Sequence, residues 1–317
     1  MDFSVLISEF PTLTVDGIAL GFIYVLIALG YTMVYGVLRL INFANSEVFM
    51  IGTFASILVA TNIFNYTIET EPLTGAKLVV TMLAMLIGAM IVSGVVSVLV
   101  EIVAYRRLRA ITTNRLTSLI SAIGVSIFLA EGVRLLTDSA PMVTPRILDK
   151  VTLVTILGAD IRVDILLVII FAIILLLCLD IFVNKTRLGK GIRAVSMDYD
   201  TAKLMGINLN KVISTTFLVG GLGTGAAAFF YVTVYEVTVF KVGFELGIAA
   251  FTAAVLGGIG NIRGAFAGGL ALGLIEMYSS AIFGTQWKTI TAFVILVLVL
   301  LFRPNGIFGE SLQQARV

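Results

Sequence analysis

The chain has 317 residues, 59% of them hydrophobic and 13% charged, with a mean hydropathy of +1.09. A soluble domain carries about 25% charged residues and cannot cover that much apolar surface with polar groups, so a soluble fold is excluded. The net charge of +2 gives no general attraction to nucleic acid, the single Cys178 permits no internal disulfide, and the absence of histidine removes Ser-His-Asp catalysis and histidine-containing metal sites. Neither a cofactor nor a metal site is expected.

A membrane-spanning helix needs about 20 mostly apolar residues. The N-terminal stretch MDFSVLISEFPTLTVDG carries Asp2, Glu9 and Asp16 and no basic residue, unlike a secretory signal, so the first apolar run reads as a retained span. Uncharged runs follow at 17–38, 48–68 and 78–100. The run 116–136 carries Glu131 and Arg134 near its end, and 165–179 lies between Asp164 and Asp180 and extends towards Val183. Then come 212–235, the short Gly-rich 246–260, 265–283 with Glu276 inside it, and 289–302. These are nine segments of an all-α, polytopic helical bundle of about 8–10 spans, one transmembrane domain over 1–317. Arg106, Arg107, Arg109 and Arg115 follow the third run, Lys185 to Lys211 follow the fifth, and Arg39, Arg263 and Arg303 follow the first, seventh and ninth. The excess of Lys and Arg in these loops places them in the cytoplasm, with the N-terminus outside and the C-terminus inside.

The polar stretch 184–210 has Ile192, Val195, Ala202, Leu204 and Met205 at helical spacing, a turn around 196–200 and a helix stop at Gly206. Asn42, Asn45, Ser46 and Glu47 fall between two apolar runs, where Ser46 resembles an N-cap. They form either a helix break lining a pathway or a plain cytoplasmic turn with Glu47 solvated beside Arg39. Glu276 sits inside an apolar run and is a candidate for the translocation pathway, facing a bundle interior or an aqueous path, with the outer interface as the alternative, whereas Glu131 and Glu245 read as interfacial. Gly260, Gly264, Gly268, Gly269 and Gly273, spaced mostly by four, put small residues on one helix face for close packing.

Three stretches, in order, resemble the permease subunits of branched-chain amino-acid ABC importers, the LivH-type family. They are ALGYTMVYGVLRLINFANSEVFMIG (28–52), TRLGKGIRAVSMDYDTAKLMGINLNKV (186–212) and FTAAVLGGIGNIRGAFAGGLALGLIE (251–276), followed by LLFRPNGIFG. The family has His-Gly where this chain has Asn45-Ser46. The second stretch also holds a diluted form of the motif that importer permeases offer their ATPases, Glu-Ala-Ala, three residues, Gly, here Asp200-Thr201-Ala202 and Gly206.

The resemblance implies a type II-like permease in a bacterial inner membrane, transporting neutral or branched-chain amino acids. It implies a second, related permease in a heterodimeric pathway, two ATPase subunits, and a periplasmic or lipid-anchored substrate-binding protein. It makes 184–210 the coupling segment, with Arg193, Asp198, Asp200, Ala202, Lys203 and Gly206 at the ATPase. On that reading Arg193 pairs with a partner carboxylate, and Ala202 is small to allow close approach. Ala202→Arg or Gly206→Pro is then expected to uncouple transport in a folded subunit. The chain has no Gly-x4-Gly-Lys-Ser/Thr loop, so it is not itself an ATPase. A urea or short-amide permease is a near alternative, and an ion-coupled secondary transporter a more distant one. A membrane enzyme lacks any paired catalytic constellation.

Overall fold

The computed structural model describes residues 9–111, 115–156 and 158–308. Asp2, and with it the reading of an uncleaved N-terminus, lies outside them. In lipid every backbone N–H and C=O must find its partner within the protein, so the long apolar runs form helices. In chain order these are α1 (Phe10–Leu38), α2 (Ala44–Leu58), α3 (Gly75–Val100), α4 (Arg107–Ile111), α5 (Arg115–Leu136) and α6 (Val163–Lys185). They continue with α7 (Arg187–Met197), α8 (Tyr199–Leu204), α9 (Leu209–Tyr235), α10 (Val242–Gly257), α11 (Ile262–Phe283) and α12 (Lys288–Phe302). Wider π turns extend α2 over Val59–Ile63 and join α3 to α4 over Glu101–Arg106.

Among the described residues, eight helical stretches are long and apolar enough to cross a membrane. The remaining expected segment, α10, has 16 residues. At 1.5 Å per residue it is roughly 24 Å long, short of the roughly 30 Å hydrocarbon core. The arginine-rich stretch after Val100, expected as a loop, is helical through Ile111, because Glu101 neutralises two of its arginines. The bundle is also not wholly helical. Two antiparallel ribbons, β1 (Met142–Val143) with β4 (Val237–Thr238) and β2 (Thr152–Ile156) with β3 (Ala159–Arg162), close one face, the second turning through Gly158 at φ 90°.

Packing defines two faces. The Thr14 and Tyr278 hydroxyls lie 2.9 Å apart, tying the start of α1 to the end of α11 beside the ribbons. At the other end Gly36 of α1 lies against Gly260 in the α10–α11 turn, and Arg39 donates to the Ser196 carbonyl of the α7–α8 elbow at 3.0 Å. The Ile307 amide donates to the Leu256 carbonyl at 2.8 Å, which keeps the C-terminal stretch at the elbow face. Counting α10, the described residues therefore pass between the faces an odd number of times, beginning at one face and ending at the other.

The core is built around α1, which is apolar on every side and buried almost throughout. Helices α9, α10 and α11 surround it. Between helices in lipid there is little hydrophobic drive, so close backbone approach through small residues supplies the packing. Gly17 and Gly21 of α1 meet α11 at Leu270, Gly273 and Leu274, and Gly30 meets Thr224 and Gly220 of α9. Gly221 and Gly225 of α9 press on α3 at Ser93, Gly94 and Ala89. The glycines of α11 serve two faces rather than the one expected. Gly264 and Gly268 meet Gly257 and Ala253 of α10, whereas Gly269 and Gly273 meet Val25, Gly21 and Gly17 of α1. Gly260 is not on the helix but in the turn before it, at φ 98°. On the outside, α3, α5 and α12 expose apolar side chains such as Ile87, Phe128 and Leu301 to the lipid.

A Cβ on Gly273 would strike the backbone of Gly17 and Gly21. Gly273→Val is expected to cost about 1–3 kcal/mol or more through overpacking, read as an earlier thermal unfolding transition in detergent. Gly132→Val, at a position with nothing within 4 Å, should leave the transition in place.

Candidate functional site

Two places gather the polar residues of this apolar chain. The first is the break between α1 and α2. From Ile27 the chain runs down α1 to Leu38, about 16 Å at 1.5 Å per residue. Arg39 then turns it in the left-handed region at φ 51°, and 39–43 carry it back into the bundle. Helix α2 consequently starts at mid-depth. The Asn45 amide donates to the Ile27 carbonyl at 3.4 Å, and its oxygen accepts from the Thr224 hydroxyl, midway along α9, at 3.2 Å.

All four polar residues of the break are buried. That excludes the reading of a solvated turn with Glu47 beside Arg39. Asn42 accepts from the Tyr105 hydroxyl of the α3–α4 junction at 3.0 Å. Ser46 donates to the Phe43 carbonyl at 2.5 Å. One Glu47 oxygen, Oε1, accepts from Ser126 of α5 at 3.2 Å and lies 3.4 Å from the Ser46 hydroxyl, while Oε2 has no hydrogen-bond partner. Helix α10 covers this cluster with glycines: Gly243 sits against Glu47, Ser46 and Met50, and Gly247 against Ser46 and the Tyr31 hydroxyl.

Glu276 does not join this cluster. It is buried nearer the ribbon face, where Tyr24 of α1 donates to its Oε2 at 2.6 Å. Glu131 is half exposed and pairs with Arg134, and Glu245 is exposed.

The second place is the elbow, α7 and α8. Local side chains set its shape. Thr186 caps α7 by accepting from the Gly189 amide at 3.0 Å, and Asn208 caps α9 by accepting from Lys211 at 3.1 Å. Asp198 caps α8, accepting from the Asp200 and Thr201 amides at 3.0 Å each and from the Thr201 hydroxyl at 2.7 Å. The Thr201 hydroxyl, then the Thr201 and Asp200 amides, hold the Asp198 carboxyl below the usual aspartate range. Gly206 ends α8 at φ 79°, with its amide donating to the Lys203 carbonyl.

Ile192, Val195 and Ala202 face inward, packed with Val212, Ile213 and Phe217. The placement of Ala202 corrects the expectation of a small residue facing a partner. An arginine there would have to enter the elbow's own core, so it would unfold the elbow rather than uncouple a folded one. Gly206→Pro fails similarly, since proline fixes φ near −65° and has no amide hydrogen. Arg193 is exposed and donates to the Asn184 carbonyl at 3.2 Å, which leaves guanidinium hydrogens facing outward. Asp200 and Lys203 are exposed. So are three apolar side chains that the sequence reading did not assign to a contact: Met197 at 82%, Leu204 at 86% and Met205 at 78%.

Sequence reasoning also missed Glu101. Its fully buried carboxylate accepts from Arg106 at 2.8 Å, Arg109 at 2.6 Å and Ser214 of α9 at 2.8 Å, which locks the α3–α4 junction to α9. The spacing of one acid followed by arginines five and eight residues later was its signal, hidden because a span boundary was placed at Val100.

Because folding lowers the Asp198 carboxyl, the cap's contribution is present above the ordinary aspartate value, about 4, and is lost as pH falls through the depressed one. Amide exchange at Asp200 and Thr201, relative to intrinsic rates, is therefore expected to stay slow through that ordinary value and to quicken only below it. Asp198→Ala should be fast at every pH.

Residues 13–300 match the family described as branched-chain amino acid transport system, permease component. The chain is 41% identical over 299 residues to the high-affinity branched-chain amino acid transport system permease protein BraD of Pseudomonas aeruginosa, covering 93% of this chain and 94% of that one. It is 40% identical over 298 residues to the permease protein LivH of Escherichia coli, with the same coverage. A weaker likeness, 28% over 138 residues, covers 42% of this chain and 39% of the fructose import permease protein FruF of Bifidobacterium longum. No solved structure matches the chain. With the family matched across nearly all of its length, the chain belongs to the permease components of branched-chain amino acid transport systems.

Proposed function

We propose that this chain forms half of the transmembrane pathway of an ATP-driven importer for branched-chain and related neutral amino acids, and that its elbow is the handle moved by a separate ATPase subunit. The observation that carries this reading is the elbow itself. It is a capped, internally packed helix pair that turns Met197, Leu204 and Met205 outward among the exposed charges Asp200 and Lys203. A solvated loop has no use for such apolar exposure. An interface does, because buried apolar anchors with a polar rim are what hold partners together. Nothing in the chain binds nucleotide phosphate through a Gly-x4-Gly-Lys-Ser/Thr loop, so the energy comes from a partner.

The elbow face is cytoplasmic on this reading. Arg106, Arg107, Arg109, Lys185, Arg187, Lys190, Arg193, Lys203, Lys211, Arg263 and Arg303 all gather there, as the bias of basic residues toward the cytoplasm requires. The N-terminus then lies outside and the C-terminus inside. A second, related permease completes the pathway as a heterodimer, two ATPases sit beneath, and a periplasmic or lipid-anchored binding protein delivers the substrate. The relatives' names carry the substrate class, and the mid-depth polar residues Asn42, Asn45, Ser46 and Glu47 line the path on this reading.

Reconstituted with its partner subunits, the complex is expected to take up leucine, isoleucine or valine only when ATP is supplied. Collapse of the proton gradient at constant ATP should leave uptake unchanged; loss of uptake under that collapse would replace this reading with ion-coupled transport. Met197, Leu204 and Met205 give a second check. Leu204→Glu combined with Met205→Glu is expected to weaken ATPase co-purification at least tenfold while the permease's own unfolding transition stays in place.

A further inference from the structure

Four carboxylates are buried among the described residues: Glu47, Glu101, Asp164 and Glu276. Three are held by evident partners. Glu101 has two arginines and a serine, Asp164 has Arg162, and Glu276 has Tyr24. Glu47 alone keeps an oxygen that is both buried and without a hydrogen bond, and no Lys or Arg is ion-paired with it among the described residues. A bare carboxylate oxygen inside a helical bundle works against stability. A carboxylate kept for structure would be paired as Glu101 is.

The free oxygen has a direction. A Cβ built on Gly243 would lie 2.6 Å from Oε2, so the oxygen points at the first turn of α10. One turn further, Gly247 abuts Ser46 and the Tyr31 hydroxyl. On the other side stands Ser126 of α5. The carboxylate thus has the Ser126 and Ser46 hydroxyls at 3.2 and 3.4 Å, with the Tyr31 hydroxyl one turn away at Gly247, at the mid-depth start of α2 and under the glycine positions of α10. Helix α10 is short, and Gly258 ends it at φ 106°. Its Gly243 and Gly247 positions offer no side chain to hold α2, while two turns beyond Gly243 the ring of Phe251 packs on Tyr31 and Phe43, at centroid distances of 5.9 and 5.7 Å, and keeps that end of α10 anchored.

An ammonium group has three donors and one positive charge. It supplies what Glu47 lacks, and the hydroxyls of Ser46, Ser126 and Tyr31 can take its remaining hydrogens. We propose that Glu47 receives the ammonium group of the passing amino acid, admitted when α10 draws away from α2 along its Gly243–Gly247 face. This rests on the reading of the chain as an amino-acid permease and adds a defined substrate contact to it.

The test uses the assembled complex with its ATPases and binding protein in lipid. Glu47→Gln keeps the side chain's shape and can still accept from Ser126, but removes the charge. Leucine uptake is expected to fall at least tenfold, with assembly intact and the unfolding temperature unchanged or raised, since a neutral amide is easier to bury. A second measurement needs no loss of function. In a Cys178→Ser background, Ser126→Cys is treated with cationic and anionic methanethiosulfonates through the nucleotide cycle. The cationic reagent is expected to react at least tenfold faster in one nucleotide state, and Glu47→Gln should abolish that preference. Uptake by Glu47→Gln near the native rate, a lowered unfolding temperature, or equal or absent labelling at 126 in every state would overturn the proposal. The parent reading fails separately. Uptake that needs no ATP yet is still lost in Glu47→Gln would remove the ATP-driven importer and keep the carboxylate site, whereas ATP-driven uptake indifferent to Glu47→Gln would do the reverse.

Discussion

The contact on which the structure depends is backbone against backbone, where α1 meets its neighbours through glycine. Gly17 and Gly21 let α11 approach, Gly30 lets α9 approach, and Gly269 and Gly273 return the fit from α11. In a solvent as apolar as the side chains, such approach supplies the dispersion contacts that water would otherwise enforce by exclusion. With α1 held centrally, the break after it has a fixed place to re-enter. Asn45 reaches the Ile27 carbonyl and the Thr224 hydroxyl only because α9 is already close at Gly30.

The same helix links the two polar places. Arg39 ends α1 and starts the return to α2, and its guanidinium grips the elbow carbonyl of Ser196. Tyr105, beside the Glu101 cluster, holds Asn42 within the returning segment. Between Arg39, bonded to the elbow at Ser196, and Asn42, the first residue of the polar cluster, lie only Leu40 and Ile41.

Much of this was legible in the sequence, for physical reasons that also mark where legibility ended. Apolar run length locates spans because the hydrocarbon core has a fixed thickness, and the 184–210 stretch stood out because it breaks that rule with a helical period. The period reveals that Ala202 shares a face with Ile192 and Val195, but not whether that face meets a partner or the elbow's own core. Four-residue glycine spacing reveals small faces on α11, but α11 has two neighbours, and spacing alone assigns neither. The extension of α3 through Arg106 and Arg109 depends on a carboxylate at Glu101 neutralising them, which a hydropathy reading counts only as more charge. The polar residues of the break were found because polarity between apolar runs is conspicuous. Their depth was not, since it is set by Thr224 and Ile27, remote in sequence from one another.

The central position of α1 has a consequence for biosynthesis. It leaves the ribosome before the helices that enclose it, and Gly273, which seats against Gly21, follows about 250 residues later. At a synthesis rate of about 5–20 residues per second, that is a wait of roughly 12–50 seconds. A helix with one polar stripe would spend that interval seeking the wrong companion. One that is apolar on every side can rest in lipid without such a stripe exposed, and its bare glycine surfaces remain open until the late helices arrive to enclose it.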